Sequence, residues 1–232
     1  VSYEGYLRTG PAIVANGGAI TDVIKTGWNV QGGARTLFFN ITGDAAWVLD
    51  LGIGFTQNRG RREEVPIQAF TEGVFPQAVD SNGNPRFDAD GQPIENTSLP
   101  RLPDVLTTVS VLGLRRTSLN FAIGRDYFLN GPGVVGMASG SNMRFGWDVG
   151  GRWGTTSLGY RPQDDPTGFR RRQDVYHGLF LGSQFNWERP FGSWTMIIGG
   201  RVEWSYYWMN ILPPQNSNFR DVNLLMMFAL RY

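Results

Sequence analysis

Along much of this chain two unlike sets of side chains alternate, and that alternation constrains the backbone more than any other feature. In "NMRFGWDVGGRWG", Met143, Phe145, Trp147, Val149 and Trp153 form one set, while Arg144, Gly146, Asp148, Gly150, Arg152 and Gly154 form the other. A period of two belongs to a β-strand, whose successive side chains leave opposite faces. The same rhythm runs through "AAWVLDLGIGFTQ", "TSLNFAIGRDYF", "SWTMIIGGRVEWSYYW" and the closing "DVNLLMMFALRY". No stretch approaches the ~20 continuous apolar residues of a membrane helix.

The rhythm predicts eight strands, at about 26–39, 45–57, 104–114, 117–128, 142–154, 173–187, 193–208 and 221–232. Most connections are too short for a parallel crossover, so the pairing should be antiparallel. The segment 1–22, with "YEGYLRTG", reads as a tail, a plug or an additional strand, and ten strands remain open. Residues 23–232 then form a single barrel with a long loop at 57–103, rich in Gly, Pro, Asn and Asp. A compact domain rarely carries so long a connection without a use for it.

Amphipathic strands suit either a soluble sandwich or barrel, with its apolar face inward, or a transmembrane barrel, with that face on lipid. The polar face decides. A water-exposed face gains nothing from glycine, yet here glycine recurs beside charge, as in Asp50 with Gly52 and Gly54, or Arg201 and Glu203 with Gly199. Small residues beside long charged ones are what a narrow lumen needs, and eight strands leave room only for side chains. The large rings gather toward strand ends, as lipid-interface girdles require. The expected fold is therefore an all-β, antiparallel transmembrane β-barrel.

Composition narrows the function. With a net charge of +1, no basic surface argues for nucleic acid. Charged residues make up 18% of the chain, below the roughly 25% of soluble domains. There are no cysteines and His177 is the only histidine, so thiolate and multi-histidine metal sites are out. Lys25 is the only lysine; arginine, with its planar fork, suits crowded ion pairs. The chain opens on Val1 without a signal peptide, which reads as a mature or trimmed start.

The ending "NLLMMFALRY" resembles the C-terminal strand of bacterial outer-membrane β-barrels, with alternate apolar residues and a final aromatic, Tyr232 where phenylalanine is commoner. The phrases "GWNVQGGARTLFFN", "GRDYFL", "DVGGRWGT" and "PPQNSNFRDVNLL" resemble barrel proteins of planctomycete-type bacteria, and no chemistry attaches to them. The resemblance implies a place in the bacterial outer membrane, with its lipids and its insertion machinery as partners. The insertion signal would be Val222, Leu224, Met226, Phe228, Leu230 and Tyr232.

Two residue sets follow. Arg35, Asp50, Arg144, Asp148, Arg152, Arg201, Glu203 and Arg231 should form an interior ion-pair network. Trp28, Trp187, Trp194, Trp204, Tyr206, Trp208, Phe228 and Tyr232 should meet the lipid interface. With periplasmic termini, the turns at 40–44, 115–117, 157–171 and 209–219 become extracellular and 57–103 periplasmic, against the rule that periplasmic turns are short. The expected role is a structural or scaffold barrel, contacting another envelope protein through 57–103. The other reading is a small pore for polar solutes. A lipid-modifying enzyme would need His177 joined by Ser205 or Ser193 and by Asp174, and no catalytic set, cofactor or metal is expected. "DSNGNPRFDADG" lacks the closing glutamate of a helix–loop–helix calcium site. The basic runs Arg61-Arg62 and Arg170-Arg171-Arg172 would suit anionic headgroups or an ordinary solvated loop.

Overall fold

The computed structural model describes residues 1–61, the backbone of 64–68, positions 80, 86, 87 and 94, and residues 106–129, 142–163, 167–212 and 217–232. Within them the strands are β1 (Ser2–Gly17), β2 (Ile24–Phe39), β3 (Ala45–Gly60), β4 (Glu64–Gln68), β5 (Leu106–Phe128), β6 (Asn142–Pro162), β7 (Arg170–Phe191), β8 (Trp194–Trp208) and β9 (Phe219–Arg231). One short helix, α1 (Ile20–Val23), joins β1 to β2.

Every pairing is antiparallel, and eight strands form a closed ring in the order β1-β2-β3-β5-β6-β7-β8-β9, with β9 returning to β1. Closure leaves no unpaired edge among the eight ring strands, the condition under which a sheet can stand in lipid. The short β4 pairs with β5 from Gln68↔Leu106 to Glu64↔Ser110, beyond the point where β3 ends against it. It thus continues the wall that β3 begins.

The strand total matches the expectation, although two assignments differ. Ser2–Gly17 is a full barrel strand hydrogen-bonded to β2 on one side and β9 on the other. There is no turn at 115–117: β5 runs unbroken through Arg115 and Arg116 for 23 residues. A bulge at Leu112, between the pairs Val111↔Tyr160 and Gly113↔Gly159, shifts the alternation by one residue. The inward positions pass from Val109 and Val111 to Leu114 and Arg116, which disguises the strand in the sequence. The segment 157–171 is also mostly strand, since β6 reaches Pro162 and β7 starts at Arg170.

These changes move the 40–44 turn to the end of the termini and the long segment to the opposite end, while 157–171 and 209–219 keep the side expected of them. The chain ends lie with the turns 40–44 and 192–193 and with the 129–141 connection. The connections 18–23, 61–105, 163–169 and 209–218 leave the opposite end. The long segment therefore departs from the end away from the termini, and the two described turns beside the termini are tight. At one, Gly43 has φ +73° and Asp44 accepts hydrogen bonds from Thr42 and Asn40 at 2.5 and 2.6 Å. Those bonds, the Thr42 hydroxyl first, hold the Asp44 carboxyl below its usual range. At the other, Gly192 has φ +62° in the hairpin between β7 and β8. The hairpins considered at "SNGN" and "ADGQ", and nearly all of "DSNGNPRFDADG", lie outside the described residues.

A cysteine-free chain makes closure easy to check. In Thr9→Cys/Met226→Cys, two facing positions of β1 and β9, mild oxidation should give an intramolecular disulfide in the folded protein. A Thr9→Cys/Leu181→Cys control should give none; the reverse pattern on denaturing gels would mean that β1 does not close the ring.

Candidate functional site

The barrel wall changes polarity along its length. In the part nearer the termini the outward residues are apolar: Leu51, Ile53, Leu119, Phe121, Val149, Leu181 and Met226 are all exposed. The buried charged side chains there point inward. Nearer the opposite end the pattern inverts, with Ile20, Ile24, Val111, Leu114, Leu158, Ile211, Leu212 and Phe219 packed inside the barrel. Outside that stretch lie Arg115, Arg161, Arg171 and Gln173. One sheet thus carries an inside-out segment and a segment with ordinary soluble polarity. A change of surrounding medium at about the level of Arg116 accounts for both.

The aromatic residues mark the limits of the apolar belt. Trp187, Trp194 and Tyr232 face outward near the termini, with Trp194 and Tyr232 in contact at 5.2 Å between ring centroids. Trp28, Tyr206 and Trp208 face outward nearer the other end, where the Tyr206 and Trp208 rings meet edge to face at 4.6 Å. Trp204 and Phe228 are outward between them. From Trp194 to Tyr206, at about 3.3 Å per residue and a tilt of roughly 40°, the belt rises ~30 Å, the thickness of a bilayer's hydrocarbon core.

Inside the belt lie seven buried arginines, Arg8, Arg35, Arg116, Arg144, Arg152, Arg201 and Arg231, among the described residues. Seven buried carboxylates accompany them: Glu4, Asp50, Asp126, Asp148, Glu188, Glu203 and Asp221. The described lumen is electrically neutral. Near the termini, Arg144 reaches Glu4 at 2.7 Å and Glu188 at 3.2 Å, while Arg231 grips both Glu188 oxygens at 2.9 and 2.8 Å. Arg35 links this group to the next, lying 3.3 Å from Glu4, 3.2 Å from Asp126 and 3.6 Å from Asp50. Asp50 also accepts hydrogen bonds from Tyr6 at 2.6 Å and Arg8 at 2.9 Å.

Further up, Arg201 holds Asp148 with two bonds of 2.6 Å, and Arg152 donates to Glu203 and, at 2.9 Å, to Tyr207. Asn223 bonds Asp221 at 2.9 Å and receives a bond of the same length from Asn29. Arg116 closes the polar layer: it meets Asp221 at 2.9 Å and lies 4.4 Å from the Tyr207 ring and 4.7 Å from the Phe219 ring. Above it is the apolar cap. At the end near the termini, Leu37, Phe39, Ala46, Val48 and Phe128 form an apolar cluster on the β2, β3 and β5 wall.

Glycine makes room for these long side chains. A Cβ at Gly182 would collide with the Arg201 guanidinium, and one at Gly146 with the Asp126 carboxylate. All eight expected lumen residues are buried and sit in this network. Glu4, Arg8, Arg116, Asp126, Glu188 and Asp221 complete it. Glu4 and Arg8 belong to β1, Arg116 to the stretch read as a turn, and Glu188 to a strand end read as part of a tight "ERPFG" turn. Arg144–Glu4 joins β6 to β1 and Arg116–Asp221 joins β5 to β9. Each of those pairs of strands is diametrically opposed in the ring.

The enzyme-like residues are not assembled. His177 points outward and stacks on Trp208 at 5.3 Å. Ser205 points inward and accepts from Arg152 at 3.2 Å. The Asp174 carboxylate is occupied by the backbone amides of Val175 and Asn210 at 2.8 and 2.7 Å. Ser193 lies in the turn at the other end of the barrel.

No family model matches the chain, and no curated protein matches it. Among solved structures it is similar to a major outer membrane protein from Thermus thermophilus, with 11% identity, TM-score 0.43, and coverage of 100% of this chain and 99% of that one. It is also similar to neisserial surface protein A, with 7% identity, TM-score 0.38, and coverage of 99% and 95%. Similarity at this level adds nothing to the fold beyond the hydrogen-bonded ring itself.

Removing one member of a buried ion network strands the others. Arg144→Met should destabilise the folded barrel by about 3–5 kcal/mol, whereas Arg220→Ala, on the outer wall, should cost less than about 1 kcal/mol. Urea unfolding in detergent micelles measures both, and equal effects would mean that the interior charges are solvated.

Proposed function

We propose that this chain is a bacterial outer-membrane β-barrel with a structural, non-conducting role. The observation that carries the reading is that ion pairs cross the lumen between opposite strands, as Arg144–Glu4 and Arg116–Asp221 do. A solute passage in an eight-stranded barrel would have to displace those bonds and then the apolar cap beyond Arg116. The polarity reversal supports the membrane location independently, because only a medium without water favours exposure of the central belt. Termini on the periplasmic side put both tight turns there, as outer-membrane barrels have them.

In this role the lumen network fixes the barrel's shape, the outer belt engages membrane lipids, and β9 with its final Tyr232 is the strand offered to the insertion machinery. The connection after β3, which starts at 61 rather than at the expected 57 and lies on the extracellular side in this orientation, is where an envelope partner would be met. Reconstituted into a planar lipid bilayer, the purified chain should add no discrete conductance. Stable single-channel steps that disappear on heat denaturation would instead establish the pore reading.

A further inference from the structure

Just above the apolar belt, on the outer wall, three arginines surround a small recess. Arg59 on β3 and Arg171 on β7 are the ends of one lateral row of paired residues, Arg59↔Gly113 and then Gly113↔Gly159↔Arg171. Arg115 lies two residues further along β5, toward the belt. The recess between them is about 130 Å³, floored by Gly113 and Gly159 and flanked by Phe169, whose ring lies 5.6 Å from the Arg171 guanidinium. The bulge at Leu112 falls at its edge.

Two features make this more than a basic surface. First, none of the three arginines makes an ion pair with a carboxylate among the described residues. Among the described residues Arg61, Arg125, Arg161, Arg170, Arg189 and Arg220 also lack one, but these three line a single recess, so their unpaired charge is concentrated there. Second, toward the belt on β3, β5 and β6 lies an apolar groove of about 640 Å³ that extends across β2 to β1, lined by Leu7, Val30, Ile53, Phe55, Leu119 and Trp153, with the mutually hydrogen-bonded Thr117 and Thr155 on its arginine side. Arg115 and Thr117 are two residues apart on one strand, about 7 Å. The two hollows therefore form a stack along β3, β5 and β6, the cationic one at the interface and the apolar one within the belt.

We infer that this stack is a binding site for a phosphate-bearing anionic lipid of the leaflet remote from the termini. The arginine forks take the phosphate oxygens, for which guanidinium geometry is suited. An acyl chain lies in the groove against Leu119 and Trp153, where its burial is favoured as the adjoining belt is. Glycine at 113 and 159 lets the headgroup approach the backbone; a side chain at Gly159 would press on the Phe169 ring. The site rests on the reading of the belt as membrane-embedded, and adds to it a specific chemistry at one sector of the wall.

The test uses the full chain in detergent micelles, with lipid retention read by native mass spectrometry. Phosphatidic acid should be retained in preference to phosphatidylcholine of the same chains, and its dihexanoyl form retained less. Arg59→Gln/Arg115→Gln should lower retention of phosphatidic acid by about tenfold or more, since charge-assisted bonds are lost. Arg220→Gln, which removes a cation from β9 on the opposite side of the ring, should leave it within about twofold. These positions all face outward, and folding of each variant is checked by the mobility of the unheated protein on gels. Equal loss in Arg220→Gln, equal retention of phosphatidylcholine, or full displacement by millimolar inorganic phosphate would each overturn the site. A chain that stays monodisperse without detergent would instead overturn the membrane reading on which the site depends.

Discussion

The structure depends on one constraint: the barrel wall meets two media, and its side chains change sides where the medium changes. Below Arg116 the apolar face looks out and the ions look in; above it, Val111, Leu114, Leu158 and Phe219 look in and the charges look out. Neither half could be exchanged for the other. The belt's outward leucines and phenylalanines would each cost of order 1.5–3 kcal/mol if left in water. The cap, by contrast, packs as a soluble core would. Arg116 sits at the junction, with Asp221 on one side and the Tyr207 and Phe219 rings on the other.

Inside the belt, charge must be matched pair by pair, because an unpaired ion there has neither water nor lipid headgroups to turn to. Seven arginines against seven carboxylates meet that demand among the described residues. The matching also enforces closure. Glu4 comes from the first strand and Glu188 from the end of β7, and both bind Arg144 of β6. The network is complete only when β1 has joined the ring. Glycines such as Gly146 and Gly182 supply the space that long side chains need in so narrow a lumen. Sequence composition, ion pairing and strand closure are thus three expressions of one geometric requirement.

The central strands were legible in the sequence because alternation there is undisturbed. In β3, β6, β8 and β9, every residue expected to face outward does so, and every expected lumen residue is inward. β1 was ambiguous because its outward set, Tyr3, Gly5, Leu7, Thr9 and Pro11, is weakly apolar, and its pairing to β9 skips Gly10 and Pro11. The signal available was Glu4, Tyr6 and Arg8 on one parity, the same mixture of ring and charge seen in other lumen-facing positions. β5 looked like two strands because the Leu112 bulge breaks its parity just before Arg115 and Arg116. One strand unseen and one counted twice left the total at eight while exchanging the ends assigned to the 40–44 turn and the long segment. The ion network was legible as a set of residue types; its partners on β1 and at strand ends were not, because they depend on that closure.

The central claim is that the alternation on β9 separates lipid from a closed ionic lumen. It is tested most directly by placing single cysteines, in a chain that has none, at Leu224, Leu225, Met226, Met227, Phe228 and Ala229 in a reconstituted bilayer. Spin labels at Leu224, Met226 and Phe228 should relax strongly with oxygen and weakly with a water-soluble nickel chelate. Cysteines at Leu225, Met227 and Ala229 should resist a small charged thiol reagent until the barrel is unfolded. Nickel-chelate relaxation at the first three positions, or rapid charged-reagent labelling at the last three in the folded state, would contradict the account.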